Sequence, residues 1–170
     1  MRLALMLLAA ASLAGAADKQ LFNGKDLTGW KMTGPGRFVI EDGMMKTEGG
    51  MGLLFYEKEK LGNAVVKVVF KTAAPRGNSG VVIRMPEAPT DPWYGVHNGY
   101  EVQIETGGDE WHCTGSIYSI SKVSSREQKA AGEWNTMEIE LRGPVTSISV
   151  NGKKVNEYRD GQPVPERKIW

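Results

Sequence analysis

The feature that most constrains the fold is an alternation of apolar and polar residues with a period of two. Such alternation places successive side chains on opposite faces of a β-strand, whereas an amphipathic helix repeats every ~3.6 residues. Five stretches rich in β-branched and aromatic residues show it: residues 64–73, 79–85, 99–105, 115–121 and 135–141. We therefore predict strands at all five.

Tight turns separate the alternating runs. Three dipeptides provide them: Asp42-Gly43, Gly143-Pro144 and Asn151-Gly152. Asn-Gly and Asp-Gly supply the positive φ angles that a two-residue hairpin needs. A short helix is predicted near residues 124–131. Many short strands joined by hairpins predict an all-β chain that forms a two-sheet antiparallel β-sandwich of the jelly-roll type.

The N-terminus is typical of a signal peptide. Residues 1–16 contain a basic Arg2, an apolar run over residues 3–11 and a small-x-small site that ends at Ala16. The run is short for a membrane span of about 20 residues. We expect a secreted or periplasmic protein, with no membrane attachment after cleavage, whose residues 17–170 form a single domain.

The charge balance excludes polyanions as partners. The chain has 21 basic and 20 acidic residues, and Arg2 leaves with the signal peptide. A nearly neutral chain without a basic cluster does not favour binding to nucleic acid or to an anionic membrane. The only cysteine, Cys113, cannot form an internal disulfide bond. The oligomeric state stays open.

One predicted strand, residues 99–105, has an unusual polar face. Its apolar members, which we expect in the core, are Tyr100, Val102 and Ile104. Its polar members, on the other face, are Glu101, Gln103 and Glu105. Such a face is either the solvated side of a sheet or a polar binding site, and the alternation alone does not decide between them.

Neighbouring residues favour a carbohydrate site. Arg84 is predicted to share a strand face with Gly80 and Val82, close to the acidic strand, where it could bind hydroxyls or an enolate. Several aromatic residues lie near the ends of these strands: Trp93, Tyr94, Trp111 and Tyr118. Aromatic rings beside hydrogen-bonding groups suit sugars. The Pro-rich loop at residues 86–98 is a candidate binding or lid element.

His112 follows Glu105 by seven residues, across a turn. An imidazole beside carboxylates can act as a general base or a metal ligand. Without a second Cys or a second His nearby, a closed zinc site is not expected, but the oxygens of Glu105, Asp109 and Glu110 leave a divalent cation open. No other cofactor is expected. The motifs of serine hydrolases, phosphate-binding loops and dinucleotide-binding folds are absent from the sequence.

Together, six motifs resemble the 3-keto-disaccharide hydrolase domain family over nearly the whole mature chain. They are LFNGKDLTGW, NSGVVIR, GYEVQIE, WHCTGSIYSIS, GEWNTMEIEL and VNGKKV. The resemblance implies a concanavalin-like β-sandwich, exported by bacteria, that cleaves 3-keto-glycosides. It places Arg84, Glu101, Gln103 and Tyr118 on a polar concave face, and Glu105 where aspartate is commoner. The family continues past GQPVPERKIW, so we expect closing strands to be missing from this chain.

The implied chemistry assigns roles to these residues. A ketone at C3 acidifies the C2 hydrogen, so a base can form an enolate that expels the C1 substituent before water adds. We predict His112, or failing it Glu101, as the base, and Arg84 as the group that stabilises the enolate. The predicted substrate contacts are Asn78, Trp93, Gln103, Glu105, Trp111 and Tyr118. A non-catalytic carbohydrate-binding module that uses the same face is the alternative.

Overall fold

A computed structural model describes residues 18–161 as a nearly all-β protein. Ten strands and one short helix follow in order: β1 (Trp30–Thr33), β2 (Arg37–Glu41), β3 (Met44–Glu48), β4 (Leu53–Tyr56), β5 (Ala64–Phe70), β6 (Asn78–Ile83), α1 (Tyr94–Asn98), β7 (Tyr100–Glu105), β8 (Asn135–Arg142), β9 (Val145–Val150) and β10 (Lys153–Arg159). All pairings between these strands are antiparallel.

The strands form one larger sheet and three pairs. The four-stranded sheet has the order β10-β9-β8-β5, and the pairs are β1-β4, β2-β3 and β6-β7. The predicted hairpin turns are present. Asp42 and Gly43 have φ angles of 52° and 73°, and Asn151 and Gly152 have 50° and 83°, as a tight two-residue hairpin requires.

A single apolar cluster lies between β6-β7 and the four-stranded sheet. Val102 of β7, Ile139 of β8 and Ile148 of β9 are all fully buried in it. The rings of Tyr100 and Tyr158 meet edge to face across it, with centroids 5.6 Å apart. Burial alternates with a period of two along β8 and β9, and their buried side chains share one core with those of β6 and β7. This is the packing of a β-sandwich, so the predicted fold class is confirmed.

The prediction of a strand at residues 115–121 was wrong, because no strand forms there. This segment makes only two isolated bridges, Val102 with Ile117 and Ile117 with Ser121. The side-chain amide of Asn156 donates to the carbonyls of Gly115 and Ser121, at 3.1 and 3.0 Å, and this holds the two ends of the segment together. The backbone therefore turns back on itself instead of extending.

The helix predicted at residues 124–131 was also wrong. Its backbone N–H groups bond to other parts of the fold: Ser124 donates to the carbonyl of Val155, and Lys129 donates to Asn135 Oδ1. The only helix among residues 18–161 is α1, which lies inside the predicted binding loop at residues 86–98. Gly95 lets α1 pack closely on β6, because a Cβ there would lie 2.9 Å from Val82 Cγ1.

The outer face of β5 is exposed and apolar. Val65 and Val69 are each 57% exposed, and Lys67 lies between them on the same face. β5 pairs only with β8, so it is an edge strand within the part of the chain that the structure describes.

The termini carry predictions that the structure does not address. The signal peptide at residues 1–16 and the segment in which closing strands were expected to be missing lie outside residues 18–161. Within those residues, no helix is long and apolar enough to cross a membrane.

Replacing a core residue should destabilise the sandwich far more than replacing an outer one. For Ile139→Ala we expect a loss of about 2–5 kcal/mol in the free energy of unfolding, because the side chain is fully buried. Val65→Ala, on the exposed face of β5, should cost less than about 1 kcal/mol. Urea denaturation measures both, and similar losses would contradict the assigned core.

Candidate functional site

The candidate site lies on the outer face of the β6-β7 pair. In this register Gly80 lies opposite Gln103 and Val82 lies opposite Glu101. Because Val102 and Ile104 point into the core, strand alternation directs Glu101 and Gln103 to the other side. The polar face predicted from the sequence is therefore present.

Gly80 makes room for the Glu101 side chain. A Cβ at position 80 would lie 2.2 Å from Glu101 Oε1 and 2.5 Å from its Cγ. No such contact is possible for a real side chain, so the carboxylate can lie across β6 only because residue 80 is glycine.

Glu101 is an isolated carboxylate in a partly buried position. Burial raises the pKa of its carboxyl above the ordinary value. No hydrogen bond or ion pair joins the carboxylate to another residue within 18–161. A carboxyl with a raised pKa and no partner is suited to accept and return a proton.

Gln103, beside Glu101, is buried with part of its hydrogen-bonding capacity unused. It is 1% exposed, and its Nε2 donates to Asn78 Oδ1 over a long 3.4 Å. Its Oε1 and the Oγ of the neighbouring Ser116 have no partner among the described residues. Buried polar atoms of this kind usually bind water or a ligand.

An irregular segment, residues 114–118, pairs with the other edge of β7. Gln103 donates its N–H to Ser116 O at 3.0 Å, and Tyr118 donates its N–H to Glu101 O at 2.9 Å. Ile117 packs into the core, while Tyr118 is bonded to Glu101 through its backbone and its ring contacts the ring of His112. The predicted partners Glu101, Gln103 and Tyr118 thus lie together.

His112 is held by two hydrogen bonds and one ring contact. Its Nδ1 is 2.7 Å from Asp109 Oδ1, and its Nε2 is 2.9 Å from Ser119 Oγ. Its ring meets the ring of Tyr118 edge to face, with centroids 4.8 Å apart. A carboxylate can only accept, so Nδ1 carries a proton and Nε2 faces the serine hydroxyl.

Asp109 is ionised in this cluster. Partial desolvation acts to raise its pKa, but hydrogen bonds from the Trp111 N–H and from His112 hold the pKa below its usual range. The carboxylate is therefore charged at neutral pH, and it fixes the orientation of the His112 ring.

The two tryptophans lie in the loops around this face. Trp93 immediately precedes α1, which packs on Val82, and its side chain is 42% exposed. The carbonyl of Trp111 accepts the N–H of Ser119 at 3.3 Å. Both loops border the polar face.

The structure does not bring Arg84 to this face. β6 ends at Ile83, and Arg84 has a φ of 56°, so strand alternation no longer governs its direction. Its guanidinium donates to Gly143 O at 2.7 Å and to Thr146 Oγ1 at 3.2 Å. The prediction that Arg84 shares a face with Gly80 and Val82 was wrong, because these bonds hold it against the four-stranded sheet.

A cavity of about 240 Å³ lies beside the polar face rather than on it. Its lining includes Glu105, Cys113, Arg126 and Lys129, but not Glu101 or Gln103. Burial raises the pKa of the Cys113 thiol, which makes it a poor nucleophile. We therefore place the site by its chemistry and not by this cavity.

The oxygens considered for a divalent cation do not form a metal site. Within residues 18–161, no three His, Cys, Asp or Glu side chains are close enough to hold an ion. Asp109 is bonded to His112, and Glu110 forms an ion pair with Lys122 at 2.9 Å.

Three contributions to this site were not predicted from the sequence: the space at Gly80, the hydrogen bond between Asp109 and His112, and the hydroxyl of Ser119. Gly80 was seen only as part of a motif, although a glycine opposite a polar strand face signals a side chain lying over it. The Asp-x-x-His spacing of Asp109 and His112 is a local signal for their hydrogen bond. Nothing in the sequence marks Ser119, which has a φ of 55° and bonds to His112 through its hydroxyl.

Comparison with known proteins points to glycoside chemistry. The family model described as the 3-keto-alpha-glucoside-1,2-lyase-like domain matches residues 17–169. Two crystal structures from Parabacteroides distasonis ATCC 8503, each named a "putative glycosyl hydrolase", are similar. The first has 26% identity and a TM-score of 0.69, covering 84% of this chain and 71% of its own. The second has 29% identity and a TM-score of 0.54, covering 65% and 63%. A search of curated proteins found no match.

The raised pKa of Glu101 predicts a pH-dependent cost in stability. The folded state holds this proton more tightly than the unfolded state, so stability falls as the pH rises above the ordinary glutamate pKa of about 4.3. Glu101→Gln should therefore raise the free energy of unfolding at pH 7, and the gain should vanish below that pKa. Urea denaturation at both pH values measures this, with the exposed Glu138→Gln as control. An equal gain in stability for Glu101→Gln at both pH values would contradict the raised pKa of Glu101.

Gly80→Ala should push Glu101 off β6. Because the new Cβ would overlap the carboxylate, the side chain must swing toward water, and the pKa of Glu101 should fall toward its ordinary value. A ¹³C NMR titration of the glutamate carboxyls measures this pKa. Gly62→Ala is the matched control, since a Cβ there meets open space. An unchanged titration in Gly80→Ala would refute the contact.

Proposed function

Because this chain belongs to the 3-keto-alpha-glucoside-1,2-lyase-like domain family, we propose that it is an exported protein that cleaves glycosides oxidised at C3. The observation that carries the proposal is Glu101, a partly buried carboxylate with a raised pKa and no partner among the described residues. It lies on a polar face bordered by aromatic residues, which is the setting that a sugar needs.

Glu101 is the base in the proposed reaction. Its carboxylate takes the C2 proton, and the electron pair left behind is delocalised onto the C3 ketone oxygen as an enolate. When the ketone re-forms, a C1–C2 double bond forms and the C1–O bond breaks. Water then adds its hydroxyl to C1, its other proton replaces the one that the departing sugar oxygen has taken up, and Glu101 returns its proton to C2. The net result is hydrolysis, and stopping before the addition of water gives a lyase.

The geometry favours Glu101 over His112 as this base. Both ring nitrogens of His112 already have partners, Asp109 and Ser119, so neither has a lone pair open to the C2 hydrogen. A carboxylate normally has a low pKa for proton transfer at neutral pH, and burial raises the pKa of Glu101 in the direction that such a transfer needs.

Other residues of this face bind the sugar. Gln103 and Tyr118 are the hydrogen-bonding side chains next to Glu101, and we assign them to the ketone oxygen and the hydroxyls. Asn78, which accepts from Gln103, fixes the orientation of that amide. Arg84 has no part in this, because it is bonded to the β8-β9 turn.

The decisive experiment is turnover of a 3-keto-disaccharide, followed by release of the unmodified sugar. Glu101→Gln should lower kcat about 10²- to 10⁴-fold, the usual cost of losing a positioned general base. Substrate affinity should change much less, because the amide keeps the shape of the side chain. Glu138→Gln, on the exposed face of β8, should behave like the wild type.

Two outcomes would redirect the proposal. If the wild type binds sugars but does not turn over any 3-keto substrate, the face belongs to a carbohydrate-binding module, with the exposed Trp93 as its natural contact. If Glu101→Gln retains wild-type kcat, the carboxylate is not the base.

A further inference from the structure

Ser119 has a backbone conformation that its residue type does not favour. Its φ is 55°, in the left-handed region. Two of the other non-glycine residues with positive φ, Asp42 and Asn151, lie in hairpin turns and are of types that tolerate this region. A serine in this region indicates that its surroundings hold it in place, which happens most often at functional sites.

The hydroxyl of Ser119 ends a chain of hydrogen bonds. The chain runs from Asp109 Oδ1 to His112 Nδ1 over 2.7 Å, and from His112 Nε2 to Ser119 Oγ over 2.9 Å. His112 is the only partner of this hydroxyl among residues 18–161. A carboxylate, an imidazole and a serine hydroxyl that are hydrogen-bonded in this order can move protons to and from the serine oxygen.

The chain of hydrogen bonds lies beside Glu101. The residue before Ser119 is Tyr118, whose N–H donates to Glu101 O and whose ring touches the His112 ring. Residues 118 and 119 therefore run beside Glu101, at the edge of β7 opposite β6. A base and an acid placed on two sides of a sugar ring are what an elimination requires.

Acyl transfer by Ser119 is disfavoured by the surrounding backbone. A serine nucleophile needs free N–H groups to stabilise the oxyanion that it creates. The N–H groups of residues 118–121 all donate to carbonyls, those of Glu101, Trp111 and Ile117. The serine is thus equipped to pass protons and not to hold an acyl group.

We propose that Ser119 is the catalytic acid that protonates the leaving oxygen, with His112 supplying the proton and Asp109 as the positioning residue. This rests on the proposed function. The step starts from the His112 imidazolium, which carries a proton on both ring nitrogens. As the C1–O bond breaks, the leaving oxygen takes the Ser119 hydroxyl proton, Ser119 Oγ takes the Nε2 proton, and His112 is left neutral with its proton on Nδ1. In the hydration step the flow reverses: water gives its oxygen to C1 and one proton, through Ser119, to His112.

Leaving-group dependence tests the assignment. Ser119→Ala should lose about 10²- to 10⁴-fold in turnover of a 3-keto-disaccharide, whose sugar alkoxide needs a proton to depart. It should lose little on a p-nitrophenyl 3-keto-glucoside, whose phenolate departs unaided. Ser119→Gly should show the same selective loss with no drop in unfolding midpoint, because glycine accepts a φ of 55° freely. Ser149→Ala, on β9, is the control.

The possible outcomes distinguish a failure of the acid role of Ser119 from a failure of the proposed function. Equal losses on both substrates would show a structural role for Ser119 and overturn the assignment, and so would full activity on the disaccharide. If the wild type turned over neither substrate, the proposed function itself would fail, and the acid role with it.

The protonation state of His112 is a test that needs no substrate. ¹⁵N NMR of neutral His112 should show the proton on Nδ1, and Asp109→Asn should shift it toward Nε2, because the amide can donate as well as accept. A neutral wild-type ring with its proton on Nε2 and none on Nδ1 would overturn the assignment.

Discussion

The structure of the site depends on the burial of one face of β7. Val102 is fully buried and Ile104 nearly so, and since side chains alternate along a strand, their burial commits Glu101 and Gln103 to the opposite face. A slip of one residue would place a carboxylate in the core, so the register is strongly specified. β6 on one edge and residues 114–118 on the other then fix the strand laterally.

The pKa values of two carboxyl groups near this face are shifted in opposite directions. Glu101 has no partner among residues 18–161 and its burial raises its pKa, whereas Asp109 receives hydrogen bonds that hold its pKa down. Environments that separate the pKa values of neighbouring groups assign them different roles in proton transfer. One carboxylate is thereby prepared to exchange a proton, and the other to stay charged and orient an imidazole.

The alternation in residues 99–105 and the Asn151-Gly152 turn were sufficient to predict β7, its two faces and a hairpin, because strands and tight turns are encoded locally. The failures came from long-range partners. Asn156 folds residues 115–121 back on themselves. Arg84 is itself left-handed, which ends the alternation of β6, and the β8-β9 turn then binds its guanidinium. No pattern near either segment reports a contact made so far along the chain, so the polar face was predictable and its exact membership was not.

The exposed face of β5 bears on how the protein behaves at high concentration. Val65 and Val69 offer apolar surface to any strand or sheet that approaches this edge. Lys67 lies between them, and its ammonium would have to lose its hydration in such a contact. A lysine centred on an apolar edge strand is a common protection against growth into fibres. A single charged side chain thus opposes aggregation where the sheet is most open to it.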